Sequence, residues 1–134
     1  MSVMTLRHWS VFALVVMTAV SACQPSNQPG VEVRGLVTAG PTCPVVTDPP
    51  DPSCAERPVE GAVLVVTTDA GSEVARTTSD ADGAFALTLP PGTYRLTPQP
   101  VDGLLGTPEP ISFAVLTGSA PIDLSPISYD TGIR

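Results

Sequence analysis

The chain has 134 residues, with 13 acidic side chains against six Arg, no Lys, one His and a net charge of −7 at neutral pH. An acidic surface repels phosphate backbones and anionic lipid headgroups, which excludes nucleic acid and charged bilayers as its main ligands. The length supports one domain with a modest core.

Met1–Trp9 carries Arg7 and His8, and Ser10–Val20 is an apolar run ending in Val20-Ser21-Ala22-Cys23. A short basic start, a brief greasy stretch and small residues at its end make a secretory signal. The run is too short for a bilayer span, which takes about 20 residues. The cysteine after the small residues resembles the lipobox of bacterial lipoproteins. That resemblance implies removal of residues 1–22, a diacylglycerol on Cys23 and display on the extracytoplasmic face of the bacterial cell membrane. Gln24–Gly30 (QPSNQPG) is polar and proline-rich. With Cys23 it makes the segment 23–30 a tether, which lifts the rest roughly 20 Å off the membrane.

From Val31 to Arg134 the signals are those of strands. Val31, Val33 and Val37 share one parity while Glu32 and Arg34 take the other. Gly35 leaves room for another backbone, and Leu36 breaks the alternation. Gly40–Pro58 holds six prolines and two of the three cysteines and shows no periodicity. If Cys23 is acylated, Cys43 and Cys54 remain as an even pair, and in an oxidising compartment a disulfide between them is expected. The rival reading, a reactive or metal-binding thiol pair, lacks a His to complete it. Ala62–Val66 is continuously apolar and β-branched, as in a central strand covered on both faces. Glu73–Ser79 is a more polar strand near an edge. Asp82-Gly83 suits the positive φ of a tight hairpin, leading into a strand with Phe85, Leu87 and Leu89 on one face. Pro90-Pro91-Gly92 fits a type II turn, after which Tyr94 and Leu96 point inward and Arg95 outward. Ile111, Phe113 and Val115 alternate. Ile122 and Leu124 form the last clear strand, which extends toward Ile127 and Tyr129. Seven short strands at close turn spacing predict an all-β, seven-stranded antiparallel β-sandwich.

The segment Ser79-Asp-Ala-Asp-Gly-Ala-Phe-Ala-Leu-Thr-Leu-Pro-Pro-Gly-Thr-Tyr-Arg-Leu96 resembles carboxypeptidase regulatory-like domains, which use D-x-D-G-x-F followed by L-P-x-G-x-Y. Pro58-Val-Glu-Gly-Ala-Val-Leu-Val66 is similar to their strand upstream of it. The resemblance runs from about Val31 to Ser128. It implies a prealbumin/transthyretin-like sandwich of the carbohydrate-binding-like class, an accessory module with no catalytic residues and no cofactor.

His8 leaves with the signal, so a Ser-His-Asp arrangement or His-ligated zinc is excluded from the mature chain. Without Lys there is neither a Schiff base nor a Lys–Asn isopeptide crosslink. Asp80 and Asp82 are the nearest thing to an acid–base pair, but Asp in this setting builds turns. Counted as a calcium loop from Asp80, Ala84 and Pro91 stand where ligands are needed, which rules out an EF-hand. A weak metal site on Asp80, Asp82 and backbone carbonyls stays open. Trp9 lies in the signal, and Phe85, Tyr94 and Phe113 take core parities, so Tyr129 is the one ring left for a sugar. The cysteine loop, with Asp48 and Asp51, and Tyr129 are the candidate contact residues. The expected function is non-enzymatic: a lipid-anchored monomer touching an envelope protein or cell-wall polymer, with weak glycan or calcium binding as the alternative.

Overall fold

The computed structural model describes residues 28–134; the expected signal and Cys23 lie outside the described residues. In chain order the strands are β1 (Val31–Gly40), β2 (Arg57–Pro58), β3 (Val63–Thr68), β4 (Glu73–Thr78), β5 (Ala84–Leu89), β6 (Gly92–Pro98), β7 (Ile111–Val115), β8 (Ile122–Asp123) and β9 (Ile127–Asp130). One turn of 3-10 helix, Pro52–Cys54, interrupts the first loop. Among the described residues no helix is long and apolar enough to cross a membrane.

The strands form two sheets, and the all-β sandwich is the expected one. Four residues or more make up each of seven strands, while β2 and β8 are two-residue pairings. In the first sheet β1 is central. It pairs antiparallel with β5 along Val31–Leu36 and with β2 at Thr38 and Ala39. On its other side β8 and then β9 run parallel to it. The second sheet is antiparallel throughout, in the order β4-β3-β6-β7. The alternation of β1 places Val31, Val33 and Val37 inside and leaves Glu32 and Arg34 in solvent. Leu64, Val66, Phe85, Leu89, Tyr94, Leu96 and Val115 come to meet them from the other strands. Each such side chain, fully buried, stabilises the fold by about 1.5–3 kcal/mol before entropy is counted. Val65, on the opposite parity of β3 from Leu64 and Val66, is also buried, while Val63 and Thr67 on its face are half-buried.

Four local expectations change. The Asp80–Gly83 turn is not a hairpin, because β4 pairs with β3 whereas β5 pairs with β1, so the turn carries the chain from one sheet to the other. Only Gly83 holds positive φ there, at 75°. Its carbonyl accepts from Val37 N at 2.7 Å, which locks the turn against β1. Gly92 does not have positive φ; it opens β6, opposite Val115. Its lack of a Cβ admits the Tyr94 ring, whose hydroxyl donates to Pro90 O at 2.7 Å. Gly35 yields to an aromatic ring rather than a backbone: it sits opposite Phe85, whose Cζ would lie 2.7 Å from an added Cβ. Finally, the last segment runs parallel to β1, and its longer strand is β9.

Candidate functional site

The first loop leaves the sheet at Pro41 and returns at Arg57. Cys43 and Cys54 are joined, with Cα atoms 5.2 Å apart, so the thiols form the disulfide and not a reactive pair. Each side of the loop has its own brace. Thr42 Oγ1 donates to Ala55 O at 3.1 Å. Asp51 caps the 3-10 turn, accepting from Ser53 N at 2.9 Å and from Ser53 Oγ at 2.8 Å. The Ser53 hydroxyl and then its N–H hold the Asp51 carboxyl below its ordinary range. Thr47 Oγ1 accepts from Asp51 N at 3.2 Å and donates to Pro49 O at 3.1 Å. At the base, Glu56 takes hydroxyl donors from Thr38 and Ser128, which sit side by side on β1 and β9.

The loop presents two adjacent valines to solvent. Val46 is 90% exposed and Val45 67%. The same valines, with Pro50, Pro52 and the cystine, line an open hollow of about 240 Å³. Asp48 is exposed, and its carboxylate makes no hydrogen bond among the described residues. Position follows from β1 itself. Its ten residues separate Gly30 from the loop by about 30 Å. The C-terminal tail joins the loop at this far end, where Thr131 N donates to Gly40 O at 3.1 Å. Leu105, 80% exposed, fills the space over Gly132. Asp130 is held down to about 2 by the Arg134 guanidinium and the Gly132 N–H.

The other candidates are placed differently. Asp80 Oδ1 accepts from Asp82 N and Ala84 N, both at 2.9 Å, which is the work of a turn. Asp80 also borders a shallow hollow of about 360 Å³ with Arg34 and Asp123. Those two are ion-paired to one another, with the Asp123 carboxyl lowered by the Arg34 hydrogen bond. Among the described residues no three His, Cys, Asp or Glu side chains gather as a metal set. The expectation of a free Tyr129 is corrected. Its ring is 1% exposed, and its hydroxyl donates to Gln99 O at 2.6 Å. Residues Ile127 and Tyr129 share the inward parity of β9, so this ring closes the core and offers no sugar platform. Asp48 and Asp51 do share the exposed loop, though Asp51 is engaged in capping. Composition gave no sign of Glu56, Thr47 or Leu105, since none belongs to a periodic pattern.

The comparisons with known proteins fit this architecture. Residues 45–104 match the carboxypeptidase regulatory-like domain. The match covers less than half of the chain and takes in the loop from Val45 onward, without Cys43, together with β2 to β6 and the turns between them. No curated protein matches. Among solved structures, the shaft pilin SpaA from Lactobacillus rhamnosus GG superposes with a TM-score of 0.56 at 13% identity over 75% of this chain and 50% of its own. The Bacillus anthracis TIE protein gives 0.53 at 18% identity, over 75% of this chain and 17% of its own. BcpA, the major pilin subunit of Bacillus cereus, gives 0.52 at 15%, over 77% and 30%. The chain therefore spans half or less of each of these proteins. Identities so low show the fold alone, a prealbumin-like two-sheet sandwich of the kind found in pilin domains.

Proposed function

We propose that this protein is a non-enzymatic module, held on the extracytoplasmic face of a bacterial membrane by a lipid on Cys23, that makes contact through its disulfide-closed loop. The observation that carries the reading is the placement of that loop: apolar, braced from within, and about 30 Å along β1 from the point where the tether enters. The domain match and the sandwich shared with two pilin subunits support a contact role over a catalytic one. A ready-made loop loses less entropy on binding than a flexible one. The partner is an envelope protein or a cell-wall polymer. The calcium alternative is not taken up, because Asp80 already serves two backbone N–H groups, and the glycan alternative lost its ring with the burial of Tyr129.

The test is pull-down from crosslinked intact cells with the wild type and a variant lacking Asp48–Pro52. The reading expects wild-type partners to be missing from the deletion; an unchanged set of partners would contradict it. Mass spectrometry of the mature N-terminus tests the anchor separately. It expects a diacylated Cys23 as the first residue, and an unmodified Cys23 would remove the lipid from the account.

A further inference from the structure

Within the loop, the stretch Val45–Thr47 has an unusual combination of properties. The chain bends at 42–45 and again at 48–49, and runs without a bend through Val46 and Thr47. Val46 points into solvent almost completely, while the next side chain, Thr47, turns back to brace Asp51 and Pro49. Cys43 and Cys54 close the chain on both sides of this pair. Pro44, Pro49, Pro50 and Pro52 remove further freedom. No charged side chain stands between Cys43 and Asp48. Val46 is the more exposed of two adjacent valines on a stiff, disulfide-closed loop, and a small apolar side chain held out in this way is complementary to a cleft with a small apolar pocket at its floor.

We infer that the loop is a substrate-like inhibitor of serine proteases whose primary pocket is small and apolar, as in elastase-type enzymes, with Val46 as the residue in the pocket. The inference rests on the loop being the contact surface. Protease pockets select by the size and charge of one side chain, and a valine fits the small class and not the Asp-floored, trypsin-type class. Interfaces of this kind are of ordinary size, and among the tightest known because the inhibitor loop is already ordered. The bond the enzyme would attack is Val46–Thr47. Hydrolysis consumes one water and leaves a Val46 carboxylate and a Thr47 amine. Both new ends remain in one molecule, since the Cys43–Cys54 bond spans the cut, and Thr47 remains tied to Asp51. The products therefore stay in the cleft, poised to rejoin, and turnover stalls. Asp48 is next in line and free in solvent, so a basic rim on the enzyme beyond the pocket would be favoured.

The test uses the folded chain from Gln24 onward with its disulfide intact, against pancreatic elastase and trypsin with chromogenic substrates. Expected is competitive inhibition of elastase, none of trypsin, and slow cleavage confined to Val46–Thr47. Val46→Asp should raise the inhibition constant by about 30-fold or more, the scale of a lost interface anchor. Val46→Arg should move inhibition to trypsin. Val46 is exposed, so both variants keep the fold, which circular dichroism verifies. Cys43→Ser with Cys54→Ser should turn the loop from inhibitor to ordinary substrate. No inhibition by the wild type, or inhibition indifferent to residue 46, overturns the inference. If both proteases are left untouched while the Asp48–Pro52 deletion still loses its cellular partners, the inhibitor reading fails and the contact function stands.

Discussion

A Cβ on Gly83 would press into the Val37 carbonyl, and the residue holds φ at 75°, a region that L side chains rarely adopt. Gly83→Ala is therefore expected to destabilise by about 2–4 kcal/mol, read from urea unfolding. Removal of a surface turn glycine with open space around it, such as Gly71, sets the comparison for the φ cost alone. Tyr129 is the second sensitive position. Tyr129→Phe keeps the buried ring but orphans the Gln99 carbonyl, at about 1 kcal/mol. Burial also raises the Tyr129 phenol above its ordinary 10.0. The folded state then holds a proton that the unfolded chain releases, so stability is complete below pH about 10 and falls as pH rises through the folded value. Tyr129→Phe should flatten that alkaline decline. Asp130 has the opposite sign. Its folded value of about 2 lies below the ordinary 3.8, so its contribution is present above the ordinary value and is lost as pH drops toward about 2. Asp130→Asn should remove part of the acid slope, a small part because the ion pair with Arg134 is exposed.

Among the elements, the disulfide loop and the sandwich are nearly independent. No residue between Pro41 and Pro58 belongs to the buried core, and the loop is tied to the sheets through Glu56 and the tail. Reducing Cys43–Cys54 should therefore cost about 3 kcal/mol of unfolded-state constraint and leave the strands in place. The expected result is a lower urea midpoint with an unchanged far-ultraviolet dichroism spectrum, and loss of the β-sheet signal on reduction would refute this independence. The same elements show what a sequence can and cannot announce. Alternation named the inward residues of β1, β5 and β6 correctly, because a pleated strand with one oily face repeats every second residue. It does not say which sheet receives the face. Asp82-Gly83 has the composition of a hairpin turn, yet its flanking strands belong to different sheets, a matter of pairing between residues far apart in the chain. Tyr129 failed for a related reason. On an extension of the last strand its inward or outward face is not set by the alternation of Ile122 and Leu124, and only the parallel pairing of β9 with β1 turns its ring inward. The disulfide was legible from cysteine arithmetic, whereas the Glu56 clamp depends on two hydroxyls from distant strands.

Over the whole molecule, the two ends of β1 set the geometry of the proposed contact. Gly30, just before β1, lies at one end together with the β3–β4 turn, since Thr68 pairs with Tyr94 near the start of β6. The loop, the C-terminal tail and Leu105 lie at the other. On the proposed anchoring at Cys23, a module held at the Gly30 end would present the exposed valines of the loop away from the membrane. The acidic charge on the rest of the surface keeps such a module from adhering to anionic lipid. The most direct measurement is site-specific photo-crosslinking in intact cells, with the probe at Val46 in one protein and at Ala70, an exposed residue at the tether end, in another. The account predicts discrete adducts from Val46, absent from Ala70. Equal adducts from both positions, or adducts from Ala70 alone, would contradict it.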